Sequence, residues 1–236
     1  MSAIRTARER ARAELTQEIK AAARRQLGES GAQGLSLRAV ARELGMASSA
    51  LYRYFPSRDD LLTALIIDAY DAIGTCVEAA DRAVDTDDFR GRWRAFCTAI
   101  RAWATAHPHE YSLVYGSPVP GYIAPEATVP PAARVPLTLT GIIRDAWQAG
   151  ALRTPPGPEL SPELTAQTAA VAELAAPGAP GPAVACAMIA WTQLFGMVGF
   201  ELYGHLKGTM DPAGPFFEHA LERMADLIGL PGTPPG

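Results

Sequence analysis

Lysine is almost missing from this chain: of 21 basic residues in 236, only Lys20 and Lys207 are lysine. The arginine preference accompanies abundant alanine, glycine and proline, the bias of a GC-rich genome, and carries little functional weight. Cysteine is equally scarce. Cys76, Cys97 and Cys186 are odd in number and far apart, which excludes a disulfide framework and any Cys-x-x-Cys metal site. They read as small buried apolar groups in a protein of the reducing cytoplasm. Charged residues are 19% of the chain, below the roughly 25% of an ordinary domain. The apolar share of 48% nevertheless suffices for a proper core and excludes disorder over the whole length. Alternating β-branched runs are few while alanine and leucine dominate, so the expected fold is all-α. No secretory signal is expected: the opening MSAIRTARERARAEL carries Arg5, Arg8, Arg10 and Arg12 without an apolar stretch. Between Ala183 and Phe200 the chain has no charge, but Thr192, Gln193, Gly196 and Gly199 interrupt the run and no Lys/Arg cluster flanks it. It reads as a helix buried in a core or an interface, with no membrane partner.

What is present is unevenly spread. The net charge of −4 hides a basic start: residues 1–62 hold 11 Lys+Arg against 7 Asp+Glu, whereas residues 63–236 hold 10 against 18. That asymmetry suggests a basic binding module on an acidic body. A first helix is expected over Glu14–Glu29, with Leu15, Ile19, Ala22, Ala23 and Leu27 on one face. A short second helix follows, capped by Ser36, with Leu37, Val40, Ala41 and Leu44 at i, i+3, i+4 and i+7 and Gly45 at its C′ position. A third covers Ala47–Tyr54. Ser57 caps a fourth helix that runs to about Val84, with Asp59 and Asp60 in its first turn. A fifth ends at His107-Pro108, and Tyr111–Tyr115 makes a short sixth. The stretch Gly116–Pro136, with six prolines, reads as a loop. Further helices are expected over Leu137–Ala149, Ser161–Ala175, Pro182–Leu206 and Asp211–Ile228, with PGTPPG a disordered tail.

Two short helices around a tight glycine turn make a helix-turn-helix. Ala41 is small enough for the helix crossing, Gly45 tolerates the turn, and Leu51 and Phe55 anchor the next helix at i, i+4. At about 100° per residue, a core placed between Leu51 and Phe55 leaves Ser49 and Arg53 pointing away, with Tyr52 and Tyr54 on the flanks. Short side chains with hydroxyl donors at the edges suit a helix that approaches base edges and grips phosphates. The Leu35–Ala41 segment, Gly45 and the run Ala50-Leu51-Tyr52-Arg53-Tyr54-Phe55-Pro56-Ser57-Arg58 resemble the DNA-binding domain of the tetracycline-repressor (TetR) family. The resemblance implies a homodimer on a near-palindromic double-stranded DNA operator. It places Ser36 and Arg38 on backbone phosphate, Ser48, Ser49 and Arg53 nearest the bases, Tyr52 and Tyr54 on phosphates, and Arg58 at the usual basic position. Ala47 stands where the family often has serine. The Arg-rich arm before Glu14 is either a solvated helix face or an arm that touches DNA.

Trp191-x-x-x-Phe195-Gly196, with Glu201, Gly204 and His205, is similar to the family's Trp-His-Gly regulatory domain, Phe195 replacing the histidine. This implies a dimer interface from the last two long helices, with Trp191, Phe195, Gly196, Gly199, Phe217 and Leu221 as its residues. Trp93, Phe96, Trp103, Tyr111, Tyr115 and Trp147 fall on the helices that surround the family's effector cavity and suit an apolar or aromatic small molecule. His107-Pro108-His109 share no helix face and have no completing ligand, so no metal is expected. No cofactor loop or nucleophile motif is visible. The organisation expected is a helix-turn-helix domain over 1–56, a ligand-binding and dimerisation domain over 57–230 entered by a connecting helix over 57–84, and a tail over 231–236. The reading is a cytoplasmic, ligand-responsive repressor and not an enzyme. The alternative is an all-α small-molecule-binding protein or enzyme with a non-functional DNA-binding domain.

Overall fold

The computed structural model describes residues 2–153 and 156–232, with side chains from Thr6 onward. Ten α-helices and no strand occur among the described residues: α1 Ser2–Ser30, α2 Leu37–Glu43, α3 Ser48–Leu51, α4 Arg58–Arg82, α5 Phe89–Ala106, α6 Pro108–Tyr115, α7 Val129–Gln148, α8 Pro162–Ala175, α9 Gly181–Leu202 and α10 Gly214–Ile228. They form two compact units. The first takes the chain up to Tyr70 together with His107–Pro131; the second takes Asp71–Ala106 and the chain from Ala132 on. Thus α4 is one unbroken helix whose first half belongs to one unit and whose second half to the other. The unit boundary does not follow the sequence boundary at residue 56, because α6 and the start of α4 share the first unit's core.

In the first unit Ile19, Ala22, Ala23 and Leu27 of α1 pack with Leu37, Val40 and Ala41 of α2, with Leu51 and Phe55, and with Leu61, Leu62 and Leu65 of α4. The expected periodicity is therefore the real core face. Helix α1 starts at Ser2 rather than Glu14. Alanine, arginine and glutamate are good helix formers, and nothing at Glu14 stops propagation from the packed nucleus. Helix α7 also starts early, at Val129, inside the expected loop. Pro130 and Pro131 fall in its first turn, where N–H groups have no intrahelical partner anyway. Pro136 then sits inside the helix, and the Thr140 hydroxyl donates to its carbonyl at 3.0 Å.

In the second unit Trp93, Phe96, Cys97 and Ile100 of α5 are fully buried, and the Trp93 indole donates to the Leu221 carbonyl of α10 at 2.9 Å. Ion pairs staple the same helices. Arg90 donates to Glu222 at 2.7 Å, to Asp226 and to the Pro231 carbonyl at 3.0 Å. The expected tail is therefore held as far as Pro231, and residues 233–236 lie outside the described residues. Arg94 also grips Glu222, by two hydrogen bonds. Helix α9 is long and apolar enough to cross a membrane by length and composition, yet nearly half of it is buried within the chain.

Arg94, and then Arg90, hold the Glu222 carboxyl down at about 2, from an ordinary 4.5. A depressed folded-state value means that the pair stabilises the fold fully above about pH 4.5 and loses that contribution as the pH falls toward 2. Glu222→Gln is accordingly expected to unfold at lower urea than the parent at pH 7. At pH 3 the gap should narrow, as chemical denaturation followed by circular dichroism would read. An equal gap at both pH values would contradict the pairing.

Candidate nucleic-acid interface

The turn after α2 is closed by backbone. Leu44 N–H donates to the Val40 carbonyl, Gly45 N–H to Arg42, and Met46 N–H to Ala41 at 2.9 Å. Gly45 takes φ +64°, the left-handed region that L side chains avoid. Ala41, 1% exposed, lies at the crossing with α3, whose Leu51 is fully buried. The α-helical part of α3 is shorter than expected. Beyond Leu51 the chain continues as tight turns, with Tyr54 N–H and Phe55 N–H both donating to the Leu51 carbonyl. Phe55 is thereby returned to the core, and the Tyr52–Tyr54 segment stays outside.

That segment divides as the helical angles suggest. Ser48, Ser49 and Arg53 are exposed, and Tyr52 is 42% exposed. Tyr54 is half-buried against the core, with the Arg12 guanidinium lying over its ring, 5.2 Å from the centroid. Ser36 makes no side-chain cap; its N–H donates to the buried Gln26 side chain at 3.3 Å, which fixes the entry into α2. Arg38 is exposed on α2. Arg42, one turn later on the same stripe, is equally exposed and is missing from the residues expected on DNA, although its i, i+4 spacing from Arg38 is the signal that finds it.

Arg58 is a correction. Its guanidinium is turned inward, donating to the Ala32 carbonyl at 2.7 Å and the Leu35 carbonyl at 3.2 Å, and it pairs with Asp59 at 3.3 Å. It braces the segment before α2 and presents little to a phosphate. Arg58→Ala should therefore cost about 1–2 kcal/mol of stability, two charge-assisted bonds to backbone carbonyls being lost. Thermal unfolding measures that loss. A variant as stable as the parent but weaker on DNA would restore the phosphate role.

Electrostatically the two units differ in how their arginines are used. In the second unit Arg90, Arg92, Arg94, Arg101, Arg134 and Arg144 all lie within 3.0 Å of a carboxylate. In the first unit, among the described residues, Arg8, Arg10, Arg12, Arg38, Arg42 and Arg53 have no ion-pair partner. Uncompensated cations thus collect on α1, α2 and the α3 turn, around hydroxyls and a phenol.

The residues expected to line an effector site are divided between the two units. Trp93 and Phe96 stack at 6.1 Å inside the second unit's core. Trp103 is also buried, and Trp147 is 36% exposed with its indole nitrogen over Gly178. Tyr111 and Tyr115 belong to the first unit, their rings 5.4 Å apart, and burial pushes the Tyr115 phenol up. A cavity of about 230 Å³ opens elsewhere in the second unit, between α7, α8 and α9. Its wall is almost wholly apolar: Leu139, Ile143, Val171, Val184, Ala187 and Trp191 are among its lining residues. None of the six aromatics lines it, because sequence spacing cannot tell a core aromatic from a wall.

The residues expected at a subunit interface also divide. Trp191 and Phe195 stand half-buried with ring centroids 4.5 Å apart, Gly196 is exposed, and Gly199 is buried beside the Tyr203 ring. Phe217 and Leu221 are corrections. Both are 4% exposed within the single chain, Phe217 under the Arg101 guanidinium and Leu221 against Trp93, so neither is free to meet a partner.

A glycine-turned helix pair that presents short polar residues, a phenol and uncompensated arginines on one exposed face is the working surface of a helix-turn-helix regulator that binds DNA. Comparison with known proteins agrees. Residues 19–65 match the model for bacterial regulatory proteins of the tetR family, and residues 93–224 match the tetracyclin repressor-like C-terminal domain. The HTH-type transcriptional regulator Rv1816 of Mycobacterium tuberculosis is 36% identical over 209 residues, which covers 87% of this chain and 89% of the relative. The crystal structure of the putative regulatory protein SCO4313 superposes with a TM-score of 0.75 at 35% identity, over 92% of this chain and 98% of that one. A protein of unknown function from Rhodococcus sp. RHA1 shares the fold at a TM-score of 0.68 and 24% identity, over 92% and 96% of the two chains. The chain belongs to the TetR family of transcriptional regulators and is not an enzyme.

Proposed function

We propose that the protein is a cytoplasmic, homodimeric repressor that leaves a near-palindromic operator when an apolar or aromatic small molecule binds its second unit. The observation that carries the reading is the exposed face of α2 and the α3 turn, where Arg38, Arg42 and Arg53 stand unpaired beside Ser48, Ser49 and Tyr52. Arg38, Ser36 and Tyr52 are assigned to phosphates, and Tyr54 to a phosphate at its exposed edge. Ser48, Ser49 and Arg53 are assigned to base edges in the major groove. DNA binding is carried by residues 1–56. The chain to residue 230 carries effector binding and dimerisation, entered through the connecting helix over 57–84.

Dimerisation is assigned to α9. Ile189, Thr192, Gly196, Phe200 and Tyr203 follow a three-and-four spacing along one exposed stripe, and Ile189, Phe200 and Tyr203 are each more than half exposed. Large apolar side chains left in water along one helix favour association. Trp191 packed on Phe195, next to Gly196, supports the Trp-His-Gly type for this domain. The effector is assigned to the α7–α8–α9 cavity, whose volume of about 230 Å³ suits a ligand of one ring or a short hydrocarbon chain. Coupling follows if that ligand prefers the conformation in which the two α3 helices are no longer about 34 Å apart, a difference typically worth about 1–3 kcal/mol.

Sequencing the genomic fragments that the purified protein retains at physiological salt tests this reading. The expected result is a small set of sites sharing an inverted repeat, released by small aromatic compounds that also raise the melting temperature. Retention without sequence enrichment would contradict it.

A further inference from the structure

Helix α1 does not end where its core face ends. Ile19 is the first fully buried residue, Leu15 is half-buried, and every residue from Thr6 to Glu14 is exposed. More than two helical turns are therefore solvent-exposed, and Arg12 is the residue through which they touch the α3 turn. On those turns Arg8 and Arg12, four residues apart, share one stripe, and it continues the stripe that carries Ile19 further along. The face that is apolar where α1 meets the domain thus turns basic where it overhangs. Its position is fixed by contact: Arg12 lies over the Tyr54 ring and its Nη2 reaches the Arg53 carbonyl at 3.5 Å. The overhang consequently leaves the domain beside the C-terminal end of the α3 turn. Arg8 lies about 6 Å beyond Arg12 at 1.5 Å per residue. Neither has a carboxylate within ion-pair distance among the described residues, and two like charges at i, i+4 cost an isolated helix a few tenths of a kcal/mol. A nearby polyanion removes that cost.

We infer that the N-terminal turns of α1 form a second DNA contact, in which Arg8 and Arg12 bind backbone phosphates next to the groove that α3 occupies. This rests on the DNA-binding reading and extends it to a sequence-independent grip. Arg12 places the arm and shares its charge between Tyr54 and the phosphate; Arg8 carries the outer contact.

Arg10 supplies the control. It lies about 200° around the helix from both Arg8 and Arg12, on the opposite side, so Arg8→Gln and Arg10→Gln change the net charge equally on opposite faces. Glutamine matches arginine in helix propensity, so helicity should be unchanged in both. The measurement is fluorescence anisotropy of the full-length protein with a 30-base-pair mixed-sequence duplex at several KCl concentrations. Arg8→Gln is expected to lower the slope of log K against log[salt] by about 2 for two subunits, and to weaken binding roughly tenfold near 0.1 M salt. Arg10→Gln should change binding less than about twofold. An Arg8→Gln slope equal to wild type, or an equal loss in Arg10→Gln, would overturn the arm contact alone. Wild-type protein that binds no duplex at all would overturn the DNA-binding reading, and the arm with it.

Discussion

Changing Arg38, Arg42 and Arg53 together to alanine is expected to weaken duplex binding by more than about 100-fold at 0.15 M salt, with the fold intact. These three guanidinium groups are exposed and have no carboxylate partner among the described residues, so their removal orphans nothing inside the protein. Exposed substitutions of this kind change stability by about half a kcal/mol or less. In a dimer the triple variant removes six positive charges, and the salt slope should fall by about 4 if Arg38 and Arg42 of both copies contact phosphates. Single changes separate the roles. Arg38→Ala should weaken all sequences alike, whereas Arg53→Ala should also relax preference at the base it reads. Electrophoretic titration on a retained genomic fragment and on a scrambled duplex distinguishes the two. A triple variant that keeps its affinity would place the interface elsewhere.

Gly229→Ala is expected to cost the second unit about 3 kcal/mol or more, and to lower the melting temperature by about 6–12 °C. Gly229 ends α10 at φ +91°, and its carbonyl accepts the Arg153 N–H at 2.9 Å. A Cβ there would collide with the Arg153 carbonyl oxygen, which is backbone and cannot swing aside. Strain and collision therefore act together. Gly150, also in the second unit, has φ +66° and open space where a Cβ would stand, so Gly150→Ala isolates the strain at about 1 kcal/mol. Differential scanning calorimetry of the two variants reads both. Equal melting temperatures would show that the 150–153 segment yields around the new methyl group.

Much of the N-terminal unit is legible in the sequence because its rules are local. Spacing of i, i+3, i+4 and i+7 gives the face of α2, Gly45 gives the turn, and the Leu51–Phe55 pair gives the side of α3 that goes inside. What the sequence hides is of three physical kinds. A helix end without a stop signal is invisible, so Ser2 rather than Glu14 begins α1, and prolines in a first turn disguise the start of α7 as loop. The direction of a long charged side chain depends on which carbonyls lie within reach. Arg58 opens α4 yet reaches back to Ala32 and Leu35, a choice set by tertiary packing. An aromatic on a helix gives no sign of what covers it. Trp93 and Phe96 are core, Phe217 and Leu221 are sealed within the chain, and the largest apolar exposures on α9 belong to Ile189 and Phe200, with Tyr203 just past its end. The cavity between α7, α8 and α9 is built from small and branched side chains whose spacing resembles any helix packing.

If the exposed face of α2 and the α3 turn grips DNA, hydroxyl-radical footprinting on a genomic fragment retained by the protein should reveal it. We expect two protected patches on one face of the duplex, centred about 10–11 base pairs apart and absent with the Arg38/Arg42/Arg53 triple variant. A footprint that the triple variant leaves unchanged would show that this face does not hold the duplex.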